Sequence, residues 1–180
     1  MKTREHSFVK YLGTLAEDRG ALAALRRGLG QPPGTVPYMF RYVVPMLPKD
    51  AYPGSWTEKS YYLIASLYAL HPTSRPDGNL GDHFAANLDP ADDRNTAIEN
   101  RFMALLTAHP EDLHIYLRQG ISFLRSKEEN GRVNWHQLMW NVLQLGYPDS
   151  ATIVQKRWAN SFWRRTAATA SETNNDQPAE

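Results

Sequence analysis

Three arginine pairs are the residues of this 180-residue chain whose type and spacing best suit a defined chemistry. The members of each pair stand seven positions apart: Arg19 and Arg26, Arg118 and Arg125, and Arg157 and Arg164. At about 100° per residue of helix, such positions project in nearly the same direction, away from the apolar residues of the same helix. Guanidinium groups arranged in this way can contact nucleic-acid phosphates without reading the base sequence.

Each pair taken alone is more often a solvated helix face, so the hypothesis depends on the repetition. Arg27 lies close to the first pair, and Arg41, Lys127 and Arg132 could extend the basic surface. Arg19 is ambiguous, because a cation in the first turn of a helix opposes the helix dipole.

The charged residues are unevenly distributed, although the net charge is only +1. Residues 1–49 hold eight lysines and arginines against three acids, and residues 113–171 hold the same numbers. Residues 76–112 hold two bases against eight acids. This asymmetry indicates a basic surface and an acidic one on the same molecule.

The best candidates for metal binding or acid–base chemistry are Asp89, Asp92 and Asp93, with Asp82 and His83 just upstream. Their spacing matches neither a calcium loop nor a zinc-binding helix, and helix capping explains several of them. The chain has no cysteine, which excludes disulfides and thiol nucleophiles. We therefore expect no metal and no cofactor, and keep a metal-dependent hydrolase using Asp89, Asp92 and His83 as an alternative.

The elements that must position these residues are helices. Helical periodicity dominates, and no run of β-branched residues alternates as a strand would. We predict helices over 7–17, 19–29, 36–44, 56–71, 81–88, 90–108, 110–127, 134–145 and from Asp149 onward. Gly28 and Gly30 are interpreted as ending the second helix rather than as a phosphate loop. Trp163 points away from the apolar stripe of the last helix, and packing is favoured over base stacking.

The fold class predicted is all-α, a compact helical bundle in which two small helical lobes could share one core. We divide the chain into an N-terminal lobe (1–88), a C-terminal bundle (89–168) and a disordered acidic tail (169–180). No apolar run is long enough for a membrane span, and the charged N-terminus lacks the apolar region of a signal peptide. We expect a cytoplasmic protein without a membrane partner.

The order of several segments resembles CasB, the small subunit of the type I-E CRISPR Cascade complex. The segments are "RGALAALRRGLG", "YYLIASLYALHP", "ENRFMALLTA", "DLHIYLRQGISFLRSK", "VNWHQLMWNVLQL" and "VQKRWANSFWRR". The match extends from about Phe8 to Arg165. It implies an all-helical, non-catalytic protein, present as two copies in an RNA-guided surveillance complex.

The resemblance also implies partners and site residues. The partners are the guide RNA, the target DNA, other Cascade subunits and a second copy of the chain. In the family, this subunit lines the guide–target duplex and helps hold the displaced DNA strand. Carried over to this chain, the family's basic positions are Arg26, Arg27, Arg118, Arg125, Lys156 and Arg157.

The complete predicted site joins these positions to the basic residues found from spacing. It comprises Arg26, Arg27, Arg41, Arg118, Arg125, Lys127, Lys156, Arg157 and Arg164. The alternative is a purely structural module whose basic faces dock protein neighbours without touching nucleic acid.

Overall fold

The computed structural model describes residues 4–89, 95–127 and 129–175. Within them the chain forms α-helices joined by turns and short 3₁₀ segments, and no strand. The helices are α1 (Ser7–Thr14), α2 (Arg19–Arg26), α3 (Phe40–Val43), α4 (Trp56–Leu70), α5 (Leu80–Ala85), α6 (Asn95–Leu106), α7 (Leu113–Arg125), α8 (Trp135–Leu145) and α9 (Pro148–Asn175). The prediction of an all-α fold is confirmed.

Helix starts follow the local side chains. Asp18 and Ser55 accept hydrogen bonds from the first turns of α2 and α4, and Asn134 does the same for α8. Asn79 and Asp82 form a reciprocal capping box at the start of α5. These N-terminal boundaries lie within a few residues of the predicted ones.

Several helix boundaries and one whole helix differ from the prediction. Helix α1 ends at Thr14, α2 at Arg26 and α5 at Ala85, each three residues before its predicted end. Residues 110–112, predicted to begin a helix, form a 3₁₀ segment before α7. The helix predicted over 36–44 is divided, because Pro37 and Pro45 each lack a backbone N–H and open short 3₁₀ segments on either side of α3. Beyond α2, Gly30 has a positive φ of 77°, as expected of the turn that follows a helix.

Helix α4 is the centre of the core. Residues 60–69 are all buried, so this helix is covered on every side. It packs against α2, α7 and α8, and also touches α1 and α3. Because the partners come from both predicted lobes, the lobes share one apolar cluster. The boundary at residue 88 stays a prediction.

Helices α5 and α9 pack with unusually close backbones. A Cβ placed at Gly81 would overlap the backbone carbonyl of Trp158. Asn79 Nδ2 donates a hydrogen bond to Ser161 Oγ at 2.7 Å beside this contact. Trp158 is itself buried and donates from Nε1 to Asn141 Oδ1 at 3.0 Å. These bonds attach α9 to the rest of the molecule.

The backbone of α9 continues to Asn175, so the prediction of disorder is wrong for residues 169–175, the first part of the predicted acidic tail. The alanines of "TAATA" favour helix, which accounts for this continuation. The last residues, 176–180, lie outside the described part of the chain, and their disorder stays a prediction. No helix in the described ranges is long and apolar enough to cross a membrane.

Candidate nucleic-acid interface

The predicted basic residues all lie at or near the surface. Lys127 is half-buried, and the side chains of the other eight are exposed. In the described part of the chain, the ion pairs are Lys10 with Glu5 and Arg75 with Asp77. None of the nine predicted residues is in either pair, so no described carboxylate neutralises them at close range.

Arg26 has a structural contact that the sequence did not reveal. Its Nε donates a hydrogen bond to the backbone oxygen of Ala69 at 2.7 Å. This oxygen lies in the last turn of α4, where carbonyls lack helical partners. Arg26 therefore joins the ends of α2 and α4, and its guanidinium is only partly available to a ligand.

Two arginines lie over tyrosine rings at the cleft between α2 and α3. The guanidinium carbon of Arg27 is 3.9 Å from the centre of the Tyr38 ring, and that of Arg41 is 5.0 Å from the centre of the Tyr42 ring. We define the α2–α3 cleft by its lining residues, which are Gly20, Ala24, Pro37, Tyr38, Arg41 and Tyr42. Two of the nine predicted cations are thus fixed beside exposed aromatic surface.

A second cleft lies between α6 and α7. We define the α6–α7 cleft by its lining residues, which are Gly30, Arg101, Ile115, Arg118, Gln119, Ser122, Phe123 and Ser126. Its volume is about 810 Å³, and it opens widely to solvent. Two guanidinium groups, the amide of Gln119 and the hydroxyl of Ser122 line it, and these side chains donate hydrogen bonds to phosphate oxygens. The hydroxyl of Ser126 already donates to the backbone oxygen of Phe123 at 2.6 Å.

The ring of Phe123 lies beneath Arg101, a cation of the α6–α7 cleft, and beneath Lys127, outside the cleft lining. Arg101 lies 5.0 Å and Lys127 5.1 Å from the ring centre. Phe123 packs in turn on the buried Phe84, with ring centres 5.4 Å apart. The cations are therefore held against a ring that is anchored in the core, which reduces the entropy lost when a ligand binds.

Gly30 connects the end of α2 to α7. A Cβ at Gly30 would collide with the guanidinium of Arg118, so this arginine lies directly against the turn. Gly30 also has the positive φ that glycine adopts most readily. The structure thus brings Arg118 next to the turn that follows Arg26 and Arg27.

Arg125 lies near a buried histidine, His71. Burial lowers the pKa of His71, and the positive charge of Arg125 lowers it further, while the hydrogen bond from His71 Nε2 to Gly131 O raises it. His71 is therefore mostly neutral at pH 7, and Arg125 faces no additional cation there.

The basic residues of α9 are not joined to either cleft. Lys156, Arg157 and Arg164 are exposed, and no described contact connects them with the α2–α3 or α6–α7 cleft. Beside them, Trp163 packs edge-on against Phe102 and Phe162, with ring centres 5.7 and 5.1 Å apart. The packing interpretation of Trp163 is confirmed, although 38% of the residue remains exposed.

Sequence reasoning missed Arg101, Phe123 and Tyr38. Arg101 lies in the acidic segment 76–112, where its charge was outnumbered. The two aromatic rings resembled ordinary core residues, and only the structure shows cations over them. The sequence did offer a signal for Arg101, because helical periodicity places it off the apolar stripe of α6 and therefore on an exposed face.

The residues of the alternative metal site have other contacts. His83 is buried, and its Nε2 accepts a hydrogen bond from the backbone of Asn134 at 3.0 Å. Asp89 is exposed and bonded through its backbone to Asn95, while Asp92 lies outside the described residues. In the described ranges, no three histidine, aspartate or glutamate side chains lie close enough together to hold a metal ion.

Comparison with known proteins gives consistent matches. A family model described as CRISPR-associated protein Cse2 matches residues 21–163. A protein of the same description from Thermus thermophilus is 32% identical over 163 residues, which are 89% of this chain and 86% of the relative.

Solved structures match over nearly the whole fold. The crystal structure of M. ruber CasB is 31% identical, with a TM-score of 0.73 over 92% of this chain and 95% of that one. A chain from a structure described as a CRISPR RNA-guided surveillance complex, pre-nicking, is 23% identical, with a TM-score of 0.74 over 93% and 96%. At that identity the last match shows the fold alone.

Proposed function

Because this chain belongs to the CRISPR-associated protein Cse2 family, we propose that it is the small subunit of a type I-E CRISPR Cascade complex. In this role it is not a catalyst. Its basic helix faces bind the nucleic-acid backbone, line the guide–target duplex and stabilise the displaced DNA strand. Its partners are the guide RNA, the target DNA, the other Cascade subunits and a second copy of the chain, in the cytoplasm.

The observation that best supports backbone binding is the α6–α7 cleft. Arg101 and Arg118 come from different helices and lie at one opening, with the hydroxyl of Ser122 and the amide of Gln119 beside them. In the described part of the chain, neither arginine is in an ion pair. A phosphate in this cleft would gain charge-assisted hydrogen bonds and release counterions.

This chemistry is independent of base sequence. The cleft offers donors suited to phosphate oxygens and stands on helix faces rather than on a helix inserted in a groove. Such a surface fits a complex in which pairing with the guide RNA supplies sequence specificity. We therefore expect similar affinity for strands of different sequence and equal length.

The test is a binding titration with the purified chain and a labelled single strand at low salt. The variant R101Q/R118Q removes the two cleft cations, and R75A/K59A removes two other cations as a charge-matched control. Lys59 lies outside the cleft and Arg75 is paired with Asp77. We expect the first variant to bind at least tenfold more weakly than the control. Equal binding by the two variants would contradict the assignment of the cleft.

The second candidate function is a structural module that docks protein neighbours without touching nucleic acid. The contacts of Arg26 with Ala69 and of Arg27 with Tyr38 favour it, because these guanidinium groups are partly engaged within the chain. Crosslinking in the assembled complex distinguishes the two functions. Crosslinks from the α6–α7 cleft to nucleic acid support the first, and crosslinks from it to protein alone support the second.

A further inference from the structure

Tyr38 presents an aromatic ring to solvent at the surface of the N-terminal half. The residue is 60% exposed, while its neighbour Met39 is buried. On the other side of Met39, Phe40 packs edge-on against Tyr62. Packing in the core therefore does not explain the position of the Tyr38 ring.

Arg27 is held on this ring. Its guanidinium carbon lies 3.9 Å from the ring centre, which is within the range of a cation–π contact. Arg27 directly follows the last residue of α2, whose end is anchored by the bond from Arg26 to Ala69. The cation and the ring are thus positioned by elements fixed to the core.

The surface beside Tyr38 is open because α2 presents small residues there. Gly20 and Ala24, one helical turn apart, line the α2–α3 cleft opposite Tyr38 and Tyr42. The cleft has a volume of about 520 Å³ and opens widely to solvent, so a ligand would lie across it without being enclosed. Its other aromatic ring, Tyr42, has Arg41 over it at 5.0 Å.

The charge of the cleft favours an anionic ligand. Arg41 lines it, and Arg27 adjoins it through Tyr38. The acidic side chain of Asp18 lies at the Gly20 end, where its Oδ1 accepts the hydrogen bond from Ala21 N that caps α2. The Tyr38 end is therefore the basic end of the cleft.

We propose that the α2–α3 cleft binds an unpaired nucleobase of a single-stranded nucleic acid, which stacks on the face of Tyr38 that Arg27 does not cover, while Arg27 and Arg41 contact the flanking phosphates. Only an unpaired strand can place a base face on this ring, because the faces of bases in a duplex are covered by their neighbours. Stacking on an aromatic ring tolerates any base, so it adds affinity without adding sequence preference. This inference rests on the proposed function, since it presumes that the chain meets a single strand.

The test compares two single strands of equal length and charge, one with thymine bases and one abasic. Tyr38→Ala removes the ring, Tyr38→Phe retains it, and Tyr52→Ala is the matched control, because Tyr52 is 69% exposed and lines neither cleft. We expect the wild-type chain to bind the thymine strand about fivefold or more tightly than the abasic one. Tyr38→Ala should lose this preference, and both other variants should keep it.

The outcomes separate this inference from the proposed function. Salt-sensitive binding of both strands with no preference for thymine would overturn stacking and leave backbone binding intact. No binding of either strand would contradict the proposed function itself. If Tyr38→Ala weakened binding of both strands equally, Tyr38 would serve only to hold Arg27, and the stacking proposal would be wrong. If Tyr38→Ala failed to assemble with other subunits but kept the preference for the thymine strand, the cleft would bind a protein partner, and the proposal would be overturned.

Discussion

At the scale of single residues, a basic side chain on a helix face has one of several roles. Arg26 donates to a backbone carbonyl, Arg27 covers a tyrosine ring, and Arg118 lies in an open cleft against a glycine turn. The sequence places all three off the apolar stripe and cannot separate these roles, because each depends on a partner distant in the chain.

The first prediction concerns Arg26 and protein stability. Arg26→Gln should lower the free energy of unfolding by about 1–2 kcal/mol, because it removes a charged hydrogen bond to the partly buried carbonyl of Ala69. Arg118→Gln should change it by less than about 0.5 kcal/mol, as is usual for surface substitutions. Urea unfolding of both variants gives the comparison, and equal losses would contradict the structural role of Arg26.

The second prediction follows from a pair of histidines at the N-terminus. His6 N donates to His136 Nδ1 at 2.9 Å, which joins the start of α1 to α8. Burial, His136 and Arg4 all lower the pKa of His6. Burial and Lys10 lower the pKa of His136, and Glu5 opposes them. Both rings are therefore neutral in the folded chain near pH 7.

Since these pKa values are lowered from 6.5 on folding, the unfolded chain takes up protons first as the pH falls. The stability contributed by the neutral rings is complete above pH about 6.5 and declines below it. Urea unfolding between pH 7.5 and 5.5 should show this decline, and His136→Gln should reduce its slope. The same free energy of unfolding at both pH values would contradict the prediction.

At the scale of elements, the helices were largely predictable and their ends were less so. Apolar spacing identified α7, α8 and α9, whose predicted inward residues, such as Leu117, Val142 and Trp158, are buried. The end of α1 was predicted too late, because the residues 15–17 that follow it are compatible with a helix. The end of α2 was predicted at Leu29, next to Gly30, whereas the helix ends at Arg26, before Gly28. The apolar pattern predicted one helix over 36–44, but α3 is confined to four residues between Pro37 and Pro45. The missing backbone N–H of each proline limits the helix more strongly than the apolar pattern extends it.

The third prediction tests the close packing of α5 on α9. Gly81→Ala should destabilise the chain by about 1–3 kcal/mol, because the added Cβ would overlap the carbonyl of Trp158. Gly13→Ala is the matched control, since a Cβ there meets only Tyr68 Oη at 4.0 Å. Gly13 lies in the last turn of α1, so that change should stabilise by no more than about 0.5–1 kcal/mol, the value for a helix interior. Thermal unfolding measures both, and the same sign for the two variants would contradict the packing argument.

The fourth prediction concerns α9, whose cations are exposed and joined to neither cleft. In the assembled complex, R157A/R164A should weaken protection of the displaced DNA strand, because two exposed arginines that contact DNA phosphates in the proposed interface are lost. Guide RNA loading should be unchanged. Nuclease footprinting of the displaced strand and quantification of bound guide measure the two effects. Full protection by the double variant would remove α9 from the proposed interface.

At the scale of the whole molecule, the sequence predicted a basic surface, and the structure shows how that surface is divided. Arg118 meets the turn after α2, and Arg101 reaches the same cleft from an acidic segment. The α9 cations stand apart from it. Counting charges along the sequence could not predict this arrangement. The counts placed Arg101 in the acidic segment 76–112, although it lines the α6–α7 cleft, and they treated the three arginine pairs as equivalent.

The salt dependence of binding tests the central claim most directly. If Arg101 and Arg118 each contact a phosphate, the slope of log K against log salt should be less steep in R101Q/R118Q than in the wild-type chain. The expected difference is about 1.4, since each phosphate contact on a single strand contributes roughly 0.7. The R75A/K59A control should keep the wild-type slope. An unchanged slope in R101Q/R118Q would contradict direct backbone contact by the α6–α7 cleft.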